Sequence, residues 1–276
     1  MLARALTHWT ILKISFQERL VYRGDFALGT LMRFLPVVTQ VFLWAAVFDG
    51  RVNGGETAEI AGYTRKSIIA YYLLTTVTRA FSSMPGLGSG IARDIRDGTV
   101  KKYLIQPIDM LGFLLLNRIA HKLVYYLVAT APFALIFYLC RSFFVDVRLD
   151  PQTLSAYFAS LVMAFLLGFF LEATMGMIGF WFLEVNSLFF VYMLFSFFFS
   201  GHMFPIDMLP SPWVEVVRLM PLQYLAYFPS AVLLGTFDST ELWYGLCVQA
   251  GWVAFFIVAS RVTFHYGVRR YSGFGG

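Results

Sequence analysis

The sequence predicts an all-α integral membrane protein with an amphipathic N-terminal helix, six transmembrane helices, and re-entrant half-helices between the fifth and sixth spans. Of its 276 residues, 59% are hydrophobic and only 13% are charged, whereas soluble domains carry about 25% charged residues. Aromatic residues reach 18%, and there are 30 phenylalanines. This composition disfavours a soluble protein, because so much apolar side chain requires contact with lipid.

Residues 1–23 predict a helix that lies in the membrane interface. Apolar residues recur there at spacings of three and four, which places them on one helical face, and cations populate the other face. The apolar positions are Leu2, Leu6, Trp9, Leu12, Phe16 and Leu20. Such a helix lies with its cations toward the headgroups. We expect Gly24-Asp25 to end it.

Six later segments are candidates for membrane spans, for which roughly 20 mostly apolar residues are needed. They cover about 26–48, 67–84, 110–140, 154–182, 187–200 and 242–264. We expect Arg33 and Pro36 to interrupt the first span.

Residues 201–237, between the fifth and sixth spans, predict an outer re-entrant segment. Its turn-forming residues include Gly201, Pro205, Pro210 and Pro221. The apolar stretches 213–219 and 222–234, split by Pro221 and Pro229, are each too short to cross a bilayer. We expect half-helices backed by protein, because lipid cannot satisfy open backbone groups.

The distribution of Lys and Arg predicts that both termini are cytoplasmic. With a cytoplasmic N-terminus, ten cations fall in inner segments and six in outer ones, as the positive-inside rule favours. The outer cations are Arg51, Arg65, Lys66, Arg141, Arg148 and Arg218. The net charge of +5 is scattered around span ends. We therefore expect contact with membrane lipids and no nucleic-acid partner.

Residues 89–107 form a charged segment, punctuated by Gly and Pro, between the second and third spans. On the cytoplasmic side, this segment is where a membrane subunit could dock a soluble motor. We expect Ile91 and Ile95 to share an apolar face toward that partner, with charged contacts around it. Glu184, in a short turn between the fourth and fifth spans, is a second candidate contact. The candidate coupling residues are Ile91, Arg93, Asp94, Ile95, Arg96, Asp97, Gly98, Lys101, Lys102 and Glu184.

Ionisable residues inside predicted spans are functional candidates, because charge is costly in lipid. They are Arg79, Arg118, Lys122 and Glu172. We expect Glu172 to pair across the bundle with one of the three cations, as a buried ion pair or polar pivot. A substrate contact or a proton relay is the alternative for Glu172. Snorkelling to the cytoplasmic surface is the alternative for Arg118 and Lys122.

The sequence offers no catalytic pattern. It lacks the glycine-rich loop with Lys and Ser/Thr that binds nucleotide phosphates, so any nucleotide energy must come from another chain. Residues 86–90 contain three glycines around Ser89, but no strand precedes them, and we expect a flexible span terminus. We therefore predict a non-enzyme, with no cofactor and no metal in this chain.

The order of these features resembles the ABC-2 type transporter permeases, in particular the ABC-2 family transporter branch near the daunorubicin-resistance-type exporters. Residues 97–107 resemble the cytoplasmic loop of that branch, in which a Gly-Thr pair precedes a Leu-rich turn and an Arg-Pro. Gln106 stands here in place of that Arg. Residues 201–205, followed by Leu209-Pro210 and Met220-Pro221, resemble the family's outer segment after the fifth span.

The resemblance implies a permease subunit of an ATP-driven exporter in a bacterial inner membrane. It would move an amphiphilic substrate, such as a drug, lipid, glycolipid or lipid-linked polymer, out of the cytoplasm or inner leaflet. Its partners would be cytoplasmic ABC ATPase subunits, which bind ATP and Mg, and a second permease subunit of the same or a related chain. The loop around 93–102 would be the coupling helix. A channel or scaffold without an ATPase partner is the alternative.

Overall fold

The long apolar stretches of the chain are α-helical, as the need to satisfy backbone hydrogen bonds in lipid requires. The computed structural model describes residues 2–21, 23–50, 59–144, 150–182 and 184–271. Its helices are α1 (Leu2–Val21), α2 (Arg23–Asp49), α3 (Arg65–Ser82), α4 (Leu87–Arg96), α5 (Lys101–Leu104), α6 (Met110–Leu139), α7 (Pro151–Met177), α8 (Asn186–Phe199), α9 (Trp213–Leu219), α10 (Tyr227–Leu233) and α11 (Ser239–Arg270). A two-residue hairpin pairs β1 (Glu59–Ile60) with β2 (Tyr63–Thr64) in antiparallel fashion.

Within the described ranges, three helical segments are long and apolar enough to cross a membrane. They are Met110–Leu139, Pro151–Phe180 and Ser239–Arg270. Leu35–Asp49 and Asn186–Phe199 are shorter apolar helices. The prediction of an all-α membrane protein is thus confirmed at this level, and each of the six predicted spans is mainly helical. Residues 51–58, which we expect in an outer loop, and residues 272–276, which we expect on the cytoplasmic side, lie outside the described residues.

The N-terminal helix ends a few residues earlier than expected, and the break expected at Pro36 is wrong. Helix α1 ends at Val21, and Gly24-Asp25 lie in the first turn of α2. Pro36 lies inside α2 without ending it, as prolines do in membrane helices when other groups satisfy the freed backbone. The Thr39 hydroxyl donates to the Pro36 carbonyl at 2.8 Å.

The described chain divides into two compact units. The first comprises Met1–Leu43 and Lys101–Ser142, in which α1 packs along α6. Ala120, Val124 and Ala129 on α6 are fully buried, and two of these three are alanines, which permit close approach of helices.

The second unit comprises Trp44–Val100 and Phe143–Gly276, with α7 at its centre. Helix α7 packs against α3, α4, α10 and α11. The buried Gln249 of α11 donates to the carbonyl oxygens of Ser160 at 3.0 Å and Tyr224 at 3.3 Å. Its own side-chain oxygen accepts from the Ser160 hydroxyl at 2.9 Å. These bonds tie α11 to α7 and to the outer segment, because unsatisfied polar groups are costly in a buried apolar setting.

The outer segment is built from short helices, as predicted. Helix α9 spans the predicted 213–219, and α10 follows a 3-10 turn, Pro221–Leu225. Pro229, however, does not split a helix, because it lies in the first turn of α10, where no intrahelical bond is lost. The break falls instead at Ala226, where φ is −146° and ψ is −53°.

Candidate functional site

Helix α4 separates an apolar face from a charged face. Leu87, Ile91 and Ile95 are each only 3% exposed, on the side that packs against α7 and the 3-10 turn Ile178–Phe180. Arg93 and Arg96 are exposed on the other side. This spacing is that of an amphipathic helix, and the packing of α4 leaves its charged face available to a partner.

The expected role of Ile91 and Ile95 as an apolar face for a motor is therefore wrong. Both side chains are buried within the chain, where α4 packs against α7, and are therefore not available to a partner. Leu104 and Ile105, in the first unit, are the apolar side chains that the predicted loop exposes, at 38% and 81%.

An ordered turn ends α4. Gly98 adopts a positive φ of 75°, a conformation that glycine accepts without strain. The Val100 amide donates to the Asp94 carbonyl at 2.9 Å, and the Thr99 hydroxyl donates to the Asp94 carboxylate at 2.7 Å. Asp94 and Gly98 are thus brought together in one turn, with Val100 fully buried beneath it.

A charged groove of about 280 Å³ lies between α4 and the segment that leads into α8. Its lining residues include Ser89, Arg93, Arg96, Glu184, Val185 and Asn186. Two cations from α4 thus share one concavity with Glu184, which accepts a hydrogen bond from the side-chain amide of Asn186. We refer to this feature as the charged groove. It presents both signs of charge, which suits recognition of a charged protein surface.

The remaining candidate cations lie beside this turn in sequence. Arg96 donates to Asp97 at 3.1 Å, and both side chains are nearly half exposed, so this ion pair adds little stability. Lys101 and Lys102 on α5 are exposed. The ammonium of Lys102 lies 4.8 Å from the ring centre of Tyr103.

A second cavity, which we name the intramembrane crevice after the predicted intramembrane charges that line it, has a volume of about 330 Å³. Arg79 of α3 and Glu172 of α7 both line it, so these two predicted intramembrane charges come together. Its other polar lining residues are Ser83, Ser89, Tyr192 and Ser196. Arg118 and Lys122 lie on α6 in the first unit.

The outer segment is anchored on one carboxylate. Asp207 accepts hydrogen bonds from Tyr63 at 2.9 Å, from Tyr227 at 2.5 Å and from Arg218 at 2.8 Å. Burial, and then the adjacent Asp207 carboxylate, raise the pKa of Tyr63 far above its ordinary value. Tyr63 therefore stays protonated and acts as a donor.

The predicted turn residues belong to the same outer segment as Asp207. Gly201 adopts a φ of 78°, and its carbonyl accepts from the buried Tyr71 hydroxyl at 2.5 Å. Pro205 precedes the 3-10 turn Ile206–Met208, and Pro221 begins the next one. Pro210 is exposed.

Sequence reasoning missed the outer cluster of Tyr63, Asp207, Arg218 and Tyr227. A signal was available, because Asp207 and Arg218 are opposite charges within a mostly apolar segment. It also missed Tyr192 and Ser196, since single hydroxyls on an apolar helix do not reveal which face they share.

Comparison with known proteins identifies one matching family. The profile of a family described as ABC-2 family transporter protein matches residues 34–275, which is most of the chain. Comparison with curated proteins gives no significant match.

Proposed function

Because the chain belongs to the ABC-2 family of transporter proteins, we propose that it is the permease subunit of an ATP-driven exporter and that it binds its ATPase through the charged groove. As an ABC-2 permease it is a membrane-embedded component of an ABC transporter. ATP and Mg would bind to the partner ATPase. The direction of transport, the amphiphilic class of the substrate and the pairing with a second permease subunit are parts of this proposal.

The charged groove is the observation that carries the proposal. Arg93 and Arg96 project from a helix whose other face is buried against α7, so a force applied to this face is passed directly to the α7 bundle. Glu184 supplies the opposite charge from a separate segment. A partner that pairs with both signs of charge is fixed in orientation, which a motor must be if its movement is to be transmitted.

The proposal includes six spans with both termini cytoplasmic. Helix α8 has 14 residues, which extend about 21 Å at about 1.5 Å per residue, short of a hydrocarbon core about 30 Å thick. We infer that the outer segment 201–237 occupies the part of the bilayer thickness that α8 does not cover. Support comes from the backing of α10 by α3 and α7, as non-spanning helices at membrane depth require.

Motor binding tests the proposal. The tagged full-length chain is purified from membranes of its native host, and co-purifying subunits are identified by mass spectrometry. We expect an ABC ATPase in stoichiometric amount, lost when Arg96→Glu and Glu184→Lys are combined. A permease that retains its ATPase with both charges reversed would exclude the charged groove as the binding site. A permease that transports in vesicles without any ATPase would make the proposed function wrong.

A further inference from the structure

We propose that the intramembrane crevice binds the zwitterionic headgroup of an amphiphile, with its acyl chains along the exposed face of α8. This inference rests on the proposed function and specifies its substrate class. The crevice has a volume of about 330 Å³. Since a water molecule occupies about 30 Å³ in the liquid, this is room for a headgroup but not for a whole lipid.

The charge of the crevice is balanced. Arg79 contributes one positive charge and Glu172 one negative charge, and the remaining polar lining is serine and tyrosine hydroxyl. A ligand with a net charge would leave one charge uncompensated, which is costly within a membrane. An electroneutral headgroup adds no net charge, so a balanced site selects against anionic and cationic amphiphiles.

A zwitterion also matches the two charges individually. A phosphate pairs well with a guanidinium, and an ammonium pairs with a carboxylate. Both Arg79 and Glu172 already interact within the chain. A headgroup that brings one charge of each sign can join these interactions without leaving either side chain uncompensated.

The rim of the crevice points to an apolar tail on the same ligand. Met193 and Phe197 line the crevice and are 57% and 42% exposed. Phe190, three residues before Met193, is 58% exposed, and this spacing places all three on one face of α8. A polar crevice that continues into an exposed apolar stripe has the two-part character of an amphiphile.

The crevice and the charged groove meet at the start of α4. Gly86 and Ser89 line both cavities. Gly86 has a φ of 71° and immediately precedes α4. Movement of α4 by a motor bound in the groove would therefore alter the crevice directly, which couples headgroup binding to the ATPase.

Native mass spectrometry of the purified full-length permease, without ATPase, tests this proposal. The protein is incubated with equal amounts of phosphatidylethanolamine, phosphatidylglycerol and a monoglucosyl diacylglycerol that share the same acyl chains. We expect retention of phosphatidylethanolamine over phosphatidylglycerol by about tenfold, equivalent to about 1.4 kcal/mol. Equal or greater retention of either competitor by the unmodified protein would overturn the proposal, and this readout requires no variant.

Variants assign the preference to the crevice. Glu172→Gln leaves a net positive site and should shift retention toward phosphatidylglycerol, whereas Arg79→Gln should weaken both phospholipids. Glu172→Asp and Arg79→Lys keep the charges and should keep the preference. Glu215→Gln, at an exposed position on α9, is the matched control. An unchanged preference in Glu172→Gln would place the lipid elsewhere and overturn the assignment.

Three further outcomes separate this inference from its alternatives. If Met193→Ser and Phe197→Ser change the oligomeric state while lipid retention stays the same, a second copy covers this face and the proposed tail site is wrong. A permease that binds its ATPase through α4 but shows no headgroup preference contradicts only this inference. A permease that shows the preference but binds no ATPase contradicts only the proposed function.

Discussion

Gly176 of α7 faces Gly88 of α4 so closely that a Cβ added to Gly176 would lie 2.6 Å from the Gly88 carbonyl oxygen. A Cβ on Gly88 would in turn lie 2.8 Å from the carbonyl oxygen of Glu172. The two helices therefore touch through their backbones, which is how small residues allow membrane helices to associate. At these two glycines, no side chain separates the backbone of the helix that carries the groove cations from the backbone of the central helix of its unit.

Gly176→Ala should therefore destabilise the permease by about 1–3 kcal/mol, the usual cost of overpacking a tight contact. The thermal midpoint of the detergent-purified protein measures this effect. Gly90→Ala is the matched control, because Gly90 lies in α4 and a Cβ there meets nothing within 4 Å. That variant should be neutral or slightly stabilising, since alanine favours helix more than glycine does. Equal effects at both positions would contradict the close contact.

Ile95→Asp should prevent stable folding of the permease, with a loss of about 3 kcal/mol or more. The cause is an unpaired charge at a buried position, since Ile95 is 3% exposed. Ile105→Asp is the control, because Ile105 is 81% exposed. This substitution should change the free energy of unfolding by no more than about 0.5 kcal/mol. If the Ile95→Asp protein folds well but does not bind its ATPase, Ile95 contacts the ATPase and is not part of the buried face of α4.

Arg96→Glu should weaken ATPase binding about tenfold, by placing like charges against a complementary surface, without lowering the thermal midpoint. Binding of the purified ATPase to permease in lipid nanodiscs gives the affinity. Arg65→Glu is the control, because Arg65 is also a half-exposed arginine with one aspartate partner, Asp49, at 3.0 Å. If the Arg96 and Arg65 variants bind the ATPase with equal affinity, the charged groove is not part of the binding surface.

Asp207→Asn should loosen the outer segment at a cost of about 1–3 kcal/mol. The amide oxygen replaces a carboxylate that accepts from Tyr63, Tyr227 and Arg218, and it leaves partly buried donors unsatisfied. Proteolysis from the outer side should accelerate and the thermal midpoint should fall. Glu215→Gln, which is exposed on α9, should change neither. A resistant Asp207→Asn protein would mean that the cluster does not hold the segment.

Cysteine labelling in intact cells tests the orientation. In a background that carries Cys140→Ser and Cys247→Ser, a membrane-impermeant maleimide should label Glu215→Cys and should not label Asp97→Cys. Both positions are exposed, so a difference in labelling reflects the side of the membrane. Permeabilised cells provide the control for reactivity at position 97. The reverse pattern would invert the proposed topology.

The sequence by itself determined the helical membrane architecture, because apolar runs of this length can satisfy their backbone only as helices. It also located the charged segment before α6 and the broken outer segment, since Gly, Pro and charged residues mark interruptions wherever they occur. It could not decide that Pro36 would lie within a continuous helix. That depends on whether the surrounding helix compensates for one lost hydrogen bond.

Only the tertiary structure decided which face of α4 is buried. The spacing of Ile91 and Ile95 shows that they share a face, but not whether a partner or the chain itself covers it. The glycine contact with α7 brings α4 close enough for the chain to do so. The meeting of Arg79 with Glu172 in one cavity, and of Tyr63 with Asp207, also joins residues far apart in sequence. Such pairings follow from how helices pack, and a local pattern carries no information about them.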